Sequence, residues 1–178
     1  MSDVNIKQEV KEKEMIRYAN IIDQSVVDGP GVRVVAFLQG CTIGCPGCHN
    51  VDLQPLGGGI NSTEGDFADL LLGKLTPIHQ GITFSGGEPT LQADALQKVI
   101  TIIREKMPRL DIWVFSGYPF EKIKDLPMFN LVDVLVDSPF VLEKRNLDLP
   151  FRGSENQRII DVQRSLAERR ILELTTHD

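Results

Sequence analysis

From residue 15 onward, short runs of β-branched and aromatic residues alternate with polar loops and helical stretches. The strands expected from these runs are MIRYANIID, VRVVAFLQG, GITFSGG, DIWVFSGY and VDVLVDSPF, and the first two flank a DGPG turn. QRIIDVQRSL predicts a strand that runs into a final helix. Strands that alternate with helices favour a parallel sheet with crossover helices. The predicted fold class is therefore α/β.

The clearest predicted helix is TLQADALQKVITIIREKMP. Its apolar positions share one face and are expected to pack in the core; they are Leu96, Val99, Ile100 and Ile103. Asp94 lies in its first turn and Pro108 ends it, as is typical of helix boundaries. A shorter helix is expected at PFEKIKDL.

The length of 178 residues suits one domain. Residues 1–15 are rich in Lys and Glu and are expected to form a solvated N-terminal extension, and residues 16–178 are expected to form the domain. A complete (β/α)₈ barrel takes about 250 residues, so a barrel formed by this chain would be partial and laterally open. The net charge of -6 disfavours nucleic acid as a partner. The sequence has neither a long apolar run nor a recognisable signal peptide, which predicts a cytoplasmic protein without membrane contact.

The three cysteines of the chain, Cys41, Cys45 and Cys48, all lie in the segment GCTIGCPGCHN. Clustered cysteines in a reducing compartment bind metal or perform redox chemistry more often than they form disulfides. Three interpretations follow from the spacing: a zinc site completed by His49 or by the remote His79, a dithiol at CPGC, and an iron–sulfur cluster. Cubane clusters usually have four cysteine ligands, so three would leave one iron open.

Two unusual loops follow predicted strands, the cysteine loop after VRVVAFLQG and the paired glycines Gly86 and Gly87 after GITFS. In parallel sheets, functional sites form at the carboxyl ends of the strands. We therefore expect both loops to contribute to one site. Arg33, in an otherwise apolar strand, is expected to pair with an acidic residue on the sheet.

The motif C-x3-C-x2-C resembles the signature of the radical S-adenosylmethionine (SAM) superfamily, and SGGEP (85–89) resembles its glycine-rich segment. VDGPGVRVVAFLQGC followed by CHN is similar to the start of activases of glycyl-radical enzymes. FRGSENQRIID (151–161) resembles a segment typical of activating proteins of anaerobic ribonucleotide reductase. The resemblance spans about residues 16–165 and implies a partial, laterally open barrel of the radical SAM type. Gly47 departs from the aromatic residue that many members have before the last cysteine.

This resemblance implies that Cys41, Cys45 and Cys48 hold a [4Fe-4S] cluster and that SAM chelates the fourth iron. His49 is then not expected to be a ligand. No catalytic side chain is expected beyond the cluster and SAM. The residues expected to contact SAM lie at or just beyond the ends of three predicted strands: Ser85, Gly86, Gly87, Glu88, Ser116 and Asp137. Glu88 is the candidate acceptor for the SAM ammonium group, and Asp137 is either a ribose-hydroxyl acceptor or a strand-end turn residue.

The resemblance further implies an enzyme that reductively cleaves SAM and abstracts a hydrogen atom from a glycine of anaerobic (class III) ribonucleotide reductase. The expected partners are the large reductase subunit and a low-potential electron donor such as flavodoxin. The alternative within the superfamily is an activase of pyruvate formate-lyase, against which FRGSENQR and the short chain argue. The alternative outside enzymes is a zinc-stabilised interaction domain.

Overall fold

The computed structural model describes residues 15–175, which form one seven-stranded sheet with helices. The strands are β1 (Met15–Ser25), β2 (Val32–Leu38), β3 (Ile60–Thr63), β4 (His79–Gly86), β5 (Asp111–Phe115), β6 (Val134–Asp137) and β7 (Arg158–Asp161). The α-helices are α1 (Glu64–Lys74), α2 (Ala93–Lys106), α3 (Phe120–Ile123) and α4 (Val162–Glu168). The expected N-terminal extension lies outside the described residues except for Met15, the first residue of β1.

The sheet order is β3-β1-β2-β4-β5-β6-β7. The four neighbours β2, β4, β5 and β6 are parallel, as predicted, but the outer strands β1, β3 and β7 run antiparallel to their neighbours. β1 is antiparallel to β2 because the turn at residues 26–31 is too short for a crossover. Because β3 and β7 are edge strands, the sheet is open, and the prediction of a partial, open barrel is confirmed.

The sheet has one face covered by helices and another that faces the open side. On β5, Ile112 and Val114 belong to the main core formed with α1 and α2. The alternate residue Trp113 belongs to a separate small apolar cluster together with Val136 of β6. Successive side chains of a strand point to opposite faces, so this small cluster lies on the face of the sheet opposite the main core.

Arg33 of β2 is fully buried, and its side chain reaches across β4 to the first residue of β5. Its guanidinium forms an ion pair with Asp111 at 2.7 Å and lies 5.3 Å from the centre of the Trp113 ring. It also donates to the hydroxyl of Thr83 at 2.8 Å and to the carbonyl of Pro30 in the DGPG turn. The predicted pairing of Arg33 with an acidic residue is confirmed, and the same side chain fixes the turn against the sheet.

None of the helices in residues 15–175 combines the length and the apolar character that crossing a membrane requires.

We expect Asp111→Asn to lower the free energy of unfolding by about 1.5–3 kcal/mol, because a hydrogen-bonded charge pair with a fully buried guanidinium is lost. The measurement is urea unfolding followed by circular dichroism. Asp23→Asn is the matched control, since the exposed Asp23–Lys74 pair should contribute less than about 1 kcal/mol. Equal losses of unfolding free energy in the two variants would show that the buried pair stabilises the protein no more than the exposed pair does.

Candidate active site

A pocket of about 580 Å³ lies at the carboxyl ends of the parallel strands. All three cysteines, Cys41, Cys45 and Cys48, line it. Ser85 and Gly86 at the end of β4 and their successor Gly87 line the same pocket. The two loops expected to share one site are therefore brought together. The volume falls within the range of small-molecule and cofactor sites.

The cysteine loop is tied back to the chain that follows it. The backbone N–H of Gly40 donates to the carbonyl of Leu53 at 2.7 Å, and that of Cys41 donates to Gln54 at 3.0 Å. Within the loop, Asn50 N–H donates to the Cys48 sulfur at 3.4 Å. The first two bonds hold the loop through its backbone, and the one bond to a thiol sulfur leaves that sulfur able to bind a metal.

The donor set fits a cluster with one iron left open. The three thiols are unpaired with one another and partly exposed in the pocket, and the sequence has no fourth cysteine. Within residues 15–175, no three His, Cys, Asp or Glu side chains converge as ligands of a single ion would. Ligands of a cubane are bound to different irons and do not need such convergence. Burial raises the pKa of the Cys45 thiol.

His49 is exposed at the rim of the pocket. Its ring lies 5.8 Å from the ring of Phe140, centre to centre. The remote His79, the other zinc candidate, is held in a different part of the fold, where Nδ1 bonds to Thr76 and Nε2 to the carbonyl of Asp23.

The paired glycines allow the β4 loop to pack directly against the backbone that leads into the cysteine loop. Gly87 N–H donates to Leu38 and Glu88 N–H donates to Gly40, both at 2.8 Å. Gly86 has φ +112°, and a Cβ there would lie 2.5 Å from the Leu38 backbone. Residues with a side chain cannot approach so closely or adopt this backbone easily. Glycine is therefore required at this position by the backbone contact.

Asn50 forms a further connection between the cysteine loop and the glycine segment. Its side-chain amide donates to the carbonyl of Gly86 at 3.2 Å, while its backbone N–H contacts the Cys48 sulfur. The sequence offered one signal for this role, since Asn50 ends the CHN triplet. No site role was predicted for it from the sequence.

The Glu88 carboxylate is fully buried and accepts four hydrogen bonds from the protein. Two come from the N–H and hydroxyl of Thr90, one from the Ser116 hydroxyl at 2.9 Å and one from the Gly117 N–H at 2.8 Å. Glu88 therefore joins the end of β4 to the end of β5. Its carboxylate lines the pocket, but its acceptor capacity is largely used within the protein.

Ser116 and Asp137 end up in different environments. Ser116 lines the pocket and bonds to Glu88. Asp137 is fully buried and does not line the pocket; it accepts from the Phe120 N–H at 2.7 Å and forms an ion pair with Arg158. The geometry therefore favours the strand-end alternative for Asp137 over a ribose contact. Arg158 also bonds to Glu121 and lowers the pKa of that carboxyl to about 2.

Residues 138–157, which connect β6 to β7, are named the cover segment because several of them line the pocket. Leu142 of this segment packs over Gly47, where a Cβ would lie 2.9 Å from the Leu142 side chain. Leu142 therefore occupies the space that an aromatic side chain at position 47 would need, which explains why glycine is found there. Periodicity could not place the cover segment, since it contains no long helix or strand.

Comparison with known proteins agrees with this geometry. Residues 27–160 match the family model described as a 4Fe-4S single cluster domain. Proteins named anaerobic ribonucleoside-triphosphate reductase-activating protein are similar to most of the chain. The example from Enterobacteria phage T4 is 33% identical over 148 residues, 81% of this chain and 93% of that protein. The one from Escherichia coli K12 is 32% identical over 149 residues, 80% of this chain and 96% of that protein.

Among solved structures, QueE from Escherichia coli matches with a TM-score of 0.48 and 12% identity, over 66% of this chain and 58% of that chain.

The pocket and the matched family model define a protein built around a single [4Fe-4S] cluster, so the expected cofactor is confirmed over zinc and a dithiol. The assignment of Cys41, Cys45 and Cys48 as its ligands stays a prediction. Within that class, the chain belongs to the family of anaerobic ribonucleoside-triphosphate reductase-activating proteins. The resemblance to activating proteins of anaerobic ribonucleotide reductase, inferred from the motifs, is thereby confirmed.

We expect Cys41→Ala, Cys45→Ala and Cys48→Ala each to abolish cluster assembly while leaving the sheet folded, because the sequence contains no spare thiol. The measurement is iron content and visible absorbance after anaerobic reconstitution, with circular dichroism for the fold. His49→Ala is the control and should keep its iron. Full iron content in a cysteine variant, or complete loss in His49→Ala, would contradict the ligand set.

We expect Glu88→Gln to lower the free energy of unfolding by about 1–3 kcal/mol, because the amide nitrogen would face donors that now point at a carboxylate. Iron content after reconstitution should remain normal, since Glu88 contacts none of the cysteines by hydrogen bond. The measurement is thermal unfolding of the protein before reconstitution.

Glu105→Gln serves as the control, because Glu105 is exposed on α2. This change should leave the free energy of unfolding unchanged within about 0.5 kcal/mol. An unchanged melting temperature of Glu88→Gln would show that the four hydrogen bonds do not stabilise the strand ends.

Proposed function

We propose that this chain activates an anaerobic ribonucleoside-triphosphate reductase by generating a glycyl radical on it. The observation that carries the proposal is the pocket in which three free thiols and the glycine segment meet. The similar proteins from phage T4 and Escherichia coli are named as activating proteins of this reductase. When bound, the cluster and SAM supply one-electron cleavage of the S–C5′ bond and removal of a hydrogen atom from a glycine Cα.

The residues of the chain bind and orient these groups. The three cysteine thiolates would hold the cluster, and the open side of the pocket leaves room for SAM beside them. We infer that backbone carbonyls of the segment Ser85 to Gly87 receive the SAM ammonium group, since the Glu88 carboxylate is occupied by four protein donors. Glu88 and Ser116 then act by holding the segment in place, and Asp137 acts through its ion pair with Arg158.

The protein substrate would enter from the open side of the barrel. The rim of the pocket carries exposed apolar side chains on both sides, Val26 and Val27 from the turn after β1 and Leu147 from the cover segment. Such a rim can exclude water from a docked peptide loop. Glycine suits this geometry because it lacks a side chain, so its Cα can come close to the reacting carbon.

We propose a low-potential donor such as flavodoxin and a cytoplasmic setting, because the three thiols need reducing conditions.

The test is to mix the reconstituted, reduced protein with SAM and the reductase under argon and to record the electron paramagnetic resonance spectrum. We expect a glycyl doublet that depends on SAM and on all three cysteines. Pyruvate formate-lyase is the matched partner control and should give no doublet. A doublet on the lyase alone would contradict the choice of substrate, and SAM cleavage without a protein radical on either partner would contradict an activase.

A further inference from the structure

The cover segment contains a residue in a strained conformation at the pocket. Phe151 has φ +57°, which non-glycine residues rarely adopt. Its ring packs edge-on against Trp113, with the centres 5.6 Å apart and the planes at 80°. Strained backbone persists only where the surrounding structure enforces it, and it is concentrated at functional sites. Here it sets the direction of the next residue, Arg152.

Arg152 lines the pocket, and part of its guanidinium lacks a partner. Nη1 donates to the carbonyl of Gln157 at 3.1 Å. Nε is buried and has no hydrogen-bond partner among residues 15–175. A buried donor of a charged group that remains unpaired is costly, so its presence in a pocket indicates a missing acceptor. The other buried unpaired side-chain atom, Oδ1 of Asn156, belongs to a residue that does not line the pocket.

Two other polar residues of the segment RGSENQR, Arg158 and Gln157, form their hydrogen bonds within the protein. Arg158 pairs with Asp137 and Glu121. Gln157 accepts from the backbone N–H groups of Gly153 and Ser154. Among the described residues that line the pocket, Arg152 is the one permanent positive charge, so it is the side chain there that suits an anionic group of a ligand.

Arg152 is also close to the thiols through a short chain of contacts. Its neighbour Gly153 packs against the Phe140 ring, where a Cβ on the glycine would lie 3.2 Å away. The Phe140 ring in turn lies 5.8 Å, centre to centre, from the ring of His49, which directly follows Cys48. The end of the pocket near Arg152 is thus the end that borders the cysteine loop.

We propose that Arg152 binds the carboxylate of the methionine moiety of SAM. This proposal rests on the proposed function, in which that moiety lies beside the cysteines. The carboxylate is the one anionic group of SAM, and the planar fork of an arginine matches carboxylate geometry. The guanidinium would then gain a carboxylate acceptor, and the positive φ of Phe151 would serve to position a ligand-binding side chain.

The test is SAM binding to the reconstituted protein by anaerobic equilibrium dialysis. Arg152→Met should weaken SAM binding roughly ten- to a hundredfold, the effect expected for hydrogen bonds between charged groups. Arg152→Lys, which keeps the charge without the fork, should lose less. Arg145→Met is the control, since Arg145 is an exposed arginine of the same cover segment that does not line the pocket; it should bind like the wild type.

Decarboxylated SAM, which lacks the carboxylate, distinguishes two roles of Arg152: binding the carboxylate and stabilising the cover segment. We expect Arg152→Met and wild type to bind this analogue equally, with equal iron content in both. Equal weakening for SAM and its analogue would overturn the proposal in favour of a purely structural role. Unchanged SAM binding with impaired activation of the reductase would also overturn it, because Arg152 would then contact the protein partner. Failure of the wild type itself to bind SAM would instead reject the proposed function.

Discussion

The site depends on the continuation of the β2–β4 pairing beyond the ends of both strands. Two backbone hydrogen bonds, from Gly87 to Leu38 and from Glu88 to Gly40, extend the parallel ladder into the loops that carry the chemistry. They hold the glycine segment against the chain leading to Cys41. The absence of side chains at Gly86 and Gly87 makes this approach possible. The relative position of the thiols and the glycine segment is therefore fixed mainly by backbone contacts.

Buried charges stabilise the remainder of the arrangement. Glu88 joins the end of β4 to that of β5 through four donors, and Arg158 joins the end of β6 to β7 through Asp137. Arg33 performs a similar task at the opposite end of the sheet, where it secures the DGPG turn. Each charge is satisfied within the protein, which limits its cost and makes each strand end rigid. A site formed by several separate loops needs such rigidity to keep its geometry.

The sequence was sufficient to predict the central strands, α2 and the shared location of both loops, because apolar periodicity and glycine pairs are local signals. It did not predict β3 and α1, since INST has little apolar character and lies at an edge. The antiparallel direction of β7 could not be deduced locally, because it depends on the path of the cover segment. The hydrogen bonds that Ser116 and Gly117 donate to the Glu88 carboxylate could not be deduced from the sequence either, because folding alone brings these residues near it.

The central claim is that three thiolates hold a cluster whose fourth iron is open to SAM. The most direct measurement is the electron paramagnetic resonance spectrum of the reduced, reconstituted protein with and without SAM, together with iron and zinc analysis. The account predicts about four irons per chain, the number in one cubane, and a spectrum that changes when SAM is added. Bound zinc in place of iron, or a cluster spectrum that SAM leaves unchanged, would contradict it.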